Sequence, residues 1–64
     1  MKIILNGEAC EVTSAILSDL LLEKDFGGRV ATAVNENFVP ATLRGSTVLQ
    51  DGDRVEILAP MQGG

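Results

Sequence analysis

The chain opens with a short apolar-rich run, Lys2 to Leu5, then Asn6-Gly7, then a second run from Ala9 to Val12. Both runs suit strands. Asn-Gly between them marks a two-residue type I′ hairpin, because both central positions of that turn take positive φ. Such a turn fixes the register: Leu5 opposite Glu8, Ile4 opposite Ala9, Ile3 opposite Cys10 and Lys2 opposite Glu11. The Lys2/Glu11 charge pair and the Ile3/Cys10 apolar pair then fall on opposite faces, as a half-buried hairpin requires.

From Ser14 to about Asp25 the period changes. Leu17, Leu20, Leu21 and nearby Ile16 gather on one side, with Ser18, Asp19 and Glu23 on the other, which predicts an amphipathic helix. Ser14 or Thr13 is expected to cap its start and Gly27-Gly28 to end it in a left-handed conformation. Val30 to Val34 predicts a third strand, Asn35-Glu36-Asn37 a turn, and Phe38-Val39 a short return strand stopped by Pro40. Ala41 to Gln50 has no clean period; it is expected to be a crossing loop with one helical turn, pinned by Leu43, Val48 and Leu49. Asp51-Gly52-Asp53 turns the chain into a last strand, Arg54 to Leu58, in which Val55 and Ile57 alternate with Arg54, Glu56 and Leu58.

A hairpin followed by a helix and further strands buries both apolar faces when the helix lies across one face of a mixed sheet. The expectation is therefore an α+β chain of the β-grasp, or ubiquitin-like, architecture, with four or five strands and one main helix. Residues 1–60 would form the domain and residues 61–64 a flexible C-terminal tail.

Composition narrows the function. With 64 residues the chain makes one domain, and a domain of that size buries roughly 60% of its unfolded surface, leaving little room for a deep active site. The net charge is −4, and Lys2, Lys24, Arg29, Arg44 and Arg54 are scattered. That argues against nucleic acid, whose phosphates demand a clustered basic face. The opening apolar run is too short for a signal peptide or a membrane span, so no membrane role and a cytoplasmic location are expected. Cys10 is the single cysteine, so no internal disulfide forms. It falls on the inward face with no histidine in the chain to complete a ligand set, and is expected to pack as a small hydrophobe. Asp51-Gly52-Asp53 has too few oxygens for a calcium loop. No bound cofactor or metal is expected.

The candidate chemistry lies at the end. Pro60 has no N–H for a ladder, so Met61, Gln62, Gly63 and Gly64 should project beyond the last strand, spanning at most about 13 to 14 Å. Glycines without Cβ atoms pass through a narrow channel and present an unhindered carboxylate. An α-carboxyl, with a pKa of roughly 3.3 to 3.7, is an anion at neutral pH and a nucleophile toward the α-phosphorus of ATP. Leu58 points outward beside the root of this tail, where an activating enzyme must grip, and is a candidate docking residue.

These residues carry a resemblance. Over essentially its whole length the chain resembles the ThiS family, the sulfur carriers of thiamine biosynthesis, which is related to the MoaD family. The likeness lies in Lys2-Ile3-Ile4-Leu5-Asn6-Gly7-Glu8, Ala33-Val34-Asn35 with Phe38-Val39-Pro40, Asp51-Gly52-Asp53-Arg54-Val55-Glu56-Ile57, and Gly63-Gly64. The resemblance implies a carrier with no catalytic side chain of its own. A ThiF-type adenylyltransferase, using ATP with magnesium, would join the Gly64 carboxylate to AMP. Sulfur mobilised by a cysteine desulfurase would displace the AMP, and thiazole synthase of the ThiG type would take the sulfur from the resulting thiocarboxylate. The free carrier would be a monomer. Ile16 stands where the family often has a capping threonine. The alternatives are the small sulfur-carrier subunit of molybdopterin synthase, which usually runs longer, a ubiquitin-like protein modifier, and a plain binding module with an idle tail.

Overall fold

The computed structural model describes residues 1–27 and 29–59. Its elements are β1 (Lys2–Leu5), β2 (Glu8–Glu11), α1 (Leu17–Glu23), β3 (Ala31–Val34), β4 (Asn37–Val39), a 3-10 helix (Ala41–Ser46) and β5 (Arg54–Leu58). The strands form one mixed five-stranded sheet in the order β2-β1-β5-β3-β4. β1 and β5 run parallel, and the other neighbours are antiparallel.

The first hairpin has the register that Asn6-Gly7 dictates, with Lys2, Ile3, Ile4 and Leu5 facing Glu11, Cys10, Ala9 and Glu8. Asn6 and Gly7 sit at φ 50° and 87°, as a type I′ turn demands. The second hairpin is tighter than the sequence suggests. Asn35 and Glu36 alone form the turn, at φ 51° and 73°, and Asn37 already pairs with Val34 in β4.

One face of the sheet is covered by α1. Leu17, Leu20 and Leu21 from the helix close on Ile3, Val12, Val39, Leu49, Val55 and Ile57. Each such aliphatic side chain contributes about 1.5 to 3 kcal/mol when fully buried.

Both ends of α1 differ from the sequence expectation. The helix starts at Leu17 with Ile16 as N-cap and no side-chain capping bond. Thr13 and Ser14 do not cap it; their amides and hydroxyls turn instead to the carboxylate of Glu23 in the last turn, at 2.6 to 3.2 Å. At the other end, Phe26 N–H reaches Leu21 O at 2.8 Å and Asp25 N–H reaches Leu22 O at 3.1 Å. That is a Schellman closure, and its left-handed residue is Asp25, at φ 61°, not Gly27. Gly28 lies outside the described residues.

The crossing segment is a 3-10 helix whose buried residue is Arg44. Leu43 and Val48, expected as its apolar pins, are 52% and 61% exposed, and only Leu49 enters the core. The pin is polar: Arg44 donates from Nε to Thr32 Oγ1 at 3.1 Å and from Nη2 to Val30 O, while Thr32 Oγ1 donates to Val39 O at 2.7 Å. A guanidinium satisfies several carbonyl and hydroxyl oxygens at once, so it closes a seam of backbone acceptors that a leucine would leave unpaired.

Candidate functional site

The strand that leads to the C-terminal tail is anchored on both sides. β5 lies between β1 and β3, and Val55 and Ile57 are wholly buried beneath the helix. On the β3 side it is paired to its end, with Ala31 opposite Leu58 and Thr32 opposite Ile57. On the β1 side the ladder covers only Arg54 and Val55. The hairpin asparagine then takes over. Asn6 donates from its backbone N–H to Val55 O, and its side-chain amide pairs with both backbone groups of Ile57, at 2.9 and 3.1 Å.

At the start of the strand Asn35 does the same. Its N–H donates to Arg54 O at 2.7 Å and its Oδ1 accepts from Arg54 N at 2.9 Å. Asp51-Gly52-Asp53 is a turn that braces this end. Asp51 accepts from Lys2 N, Asp53 accepts from Gln50 N and Asn35 Nδ2, and Gly52 takes φ 90°.

Alternation along β5 puts Leu58 on the face away from the helix, 67% exposed, as its place in the sequence predicts. It does not stand alone. Phe38 is 68% exposed on the same face, through the pairing of Ala33 with both Phe38 and Glu56. Phe38 and Leu58 flank a slot of about 130 Å³ floored by Ala31 and Ala33 and bounded by Glu56. Sequence reading missed Phe38, although its neighbour Val39 is inward-facing core and alternation places Phe38 outward. Two large apolar side chains over two alanines form a contact surface of the kind a partner's side chain fills.

Pro60 and the expected tail residues Met61, Gln62, Gly63 and Gly64 lie outside the described residues. Ala59 stands one residue beyond the anchored strand.

Cys10 is half-buried against the core, with its Sγ 3.7 Å from Glu11 O. Among the described residues no group of acidic, cysteine or histidine side chains could hold a metal ion. Among them, too, no helix is long and apolar enough to cross a membrane.

A five-stranded mixed sheet grasping one helix, with its central parallel strand leading to the C-terminal segment, is the ubiquitin-like β-grasp. The sequence matches the ThiS family over residues 3–64, and the chain belongs to that family of small sulfur carriers. Among solved structures, the crystal structure of the thiamine biosynthesis protein ThiS from Geobacter metallireducens is similar at 28% identity and TM-score 0.86, over 100% of both chains. An NMR solution structure of a thiamine biosynthesis protein from the same organism gives 28% identity and TM-score 0.83, over 100% of this chain and 88% of that one. No curated protein matches the chain.

Proposed function

We propose that this protein carries sulfur for the thiazole moiety of thiamine on the C-terminal carboxylate of Gly64. A ThiF-type adenylyltransferase, using ATP with magnesium, is the activating partner: the carboxylate attacks the α-phosphorus and pyrophosphate leaves. A persulfide, charged by a cysteine desulfurase, displaces AMP from the acyl carbon, and thiol cleavage of the S–S bond leaves a terminal thiocarboxylate. Thiazole synthase of the ThiG type takes that sulfur and water restores the carboxylate. The protein acts in the cytoplasm, is monomeric when free, and binds no cofactor.

The observation that carries this reading is the continuity of the family match with β5. The match runs through residue 64, and the strand before the tail is held on both sides up to its last residues. A rigid strand that ends beside an exposed apolar slot suits a carrier gripped at the root of its tail and served at the tip. Leu58, with Phe38, is the docking surface; Met61, Gln62 and Gly63 thread the partner's channel.

The test is ATP–pyrophosphate exchange by the cognate adenylyltransferase. Exchange should depend on the carrier and vanish when one residue is appended after Gly64. Exchange that survives the appended residue contradicts the proposal.

A further inference from the structure

The segment entering β3 and the end of β5 enclose a second depression, next to the Phe38–Leu58 slot and sharing Ala31 and Leu58 with it. It is an open trough of about 480 Å³ lined by Arg29, Val30, Ala31, Leu58 and Ala59. Among the described residues, four of the five that line it are apolar, and the fifth is a cation. Among the described residues no carboxylate lines it, although the chain as a whole carries −4.

Arg29 is exposed, and among the described residues it has no ion pair or hydrogen-bond partner. Arg54, by contrast, is within 3.7 Å of Glu36. The wall that carries Arg29 is also anchored. Val30 O accepts from the buried Arg44 guanidinium, which holds Thr32 as well. The chain passes from β5 toward its tail at Ala59, through the opposite wall. An enzyme that grips the chain at Ala59 meets this trough beside it.

We infer that the trough is a specificity contact for the activating enzyme, and that its occupant is an acidic side chain set on an apolar shoulder of that enzyme. The inference rests on the carrier reading above. The carboxylate pairs with the Arg29 guanidinium, which offers two parallel N–H donors, and the shoulder packs on Val30, Ala31 and Leu58. A positive point across from the end of β5 on an acidic protein also fixes orientation, because like charges resist a rotated docking.

The experiment is steady-state adenylation by the cognate ThiF-type enzyme with varied carrier, comparing wild type, Arg29→Lys and Arg29→Glu. Arg29→Glu should raise the KM for carrier about tenfold and leave kcat little changed, with Arg29→Lys in between. The salt dependence of kcat/KM should weaken in Arg29→Glu. Thermal unfolding should be the same for all three, since the Arg29 side chain is exposed. If wild type is adenylated and Arg29→Glu keeps its KM or lowers it, the trough assignment falls and the carrier function stands. If wild type is not adenylated at all, both fall.

Discussion

The side-chain amide of Asn6 pairs with both backbone groups of Ile57, its Nδ2 donating at 3.1 Å and its Oδ1 accepting at 2.9 Å. Asn6 thereby extends a parallel ladder that would otherwise stop at Val55. Asn35 grips Arg54 from the other hairpin, so two type I′ turns bracket the strand that delivers the tail. Asn6→Gly keeps the turn, since glycine accepts φ 50°, and removes only the clasp. It should cost about 1 to 2 kcal/mol, the net worth of two hydrogen bonds, measured by urea denaturation. Hydrogen exchange at the Ile57 amide should rise more than at the Val55 amide.

The outward pair of Leu58 and Phe38 predicts a defect in docking with no defect in folding. Leu58→Arg and Phe38→Arg should each slow adenylation at low carrier concentration, raising KM about tenfold or more. Their unfolding midpoints should stay near wild type, because both side chains are already in solvent. Adenylation kinetics unchanged in both variants would remove this surface from the partner interface.

Arg44 and Thr32 form one buried polar network, and replacing either strands the groups it bonds. Arg44→Met should cost about 2 to 3 kcal/mol by leaving Val30 O and Thr32 Oγ1 without their donor. Thr32→Val should cost about 1 to 2 kcal/mol for the same reason in reverse. Because the two share a network, the double variant should lose less than the sum, a coupling that a double-mutant cycle in urea measures directly.

Glu23 predicts an acid-sensitive join between the first hairpin and the helix. Its carboxyl pKa is lowered from 4.5 to about 2, first by the Ser14 hydroxyl and then by the Thr13 amide; desolvation opposes them, and the Ser14 amide and Thr13 hydroxyl lower it further. In the unfolded chain the group binds its proton more readily, so folded stability falls as protons are added. The contribution is full above about pH 4.5 and is lost as pH drops through about 2. Thermal midpoints of wild type and Glu23→Gln should differ most above pH 4.5 and converge toward pH 2. Parallel curves across that window would show that the carboxylate is not held as described.

What could be read from sequence follows from the range of the interaction. The β1–β2 register was legible residue by residue because Asn6-Gly7 is a local constraint, and the outward position of Leu58 because strand alternation is local too. Thr13 and Ser14 were misread as caps because their acceptor, Glu23, is nine or ten residues away and only the packed fold brings it near. Asp25 took the left-handed position expected of Gly27 because the Schellman bonds form at the end of the hydrophobic face, which closes with Phe26 on the core. Leu43 and Val48 were expected inside on polarity alone, yet the acceptors at Val30 and Thr32 favour a guanidinium there. Asn6 was legible as a turn residue and not as a clasp, since nothing local shows that β5 passes beside it. The apolar slot needed three strands to assemble, so only its Leu58 wall was visible in advance.

The central claim is that Gly64 is the site of chemistry and the fold its handle. Its most direct test is the intact mass of the protein after incubation with ATP, a sulfur source, the cysteine desulfurase and the cognate adenylyltransferase. The account predicts a gain matching one oxygen replaced by sulfur, reversed by thiazole synthase and absent when Gly64 is deleted. An unchanged mass, or the same gain in the variant lacking Gly64, would contradict it.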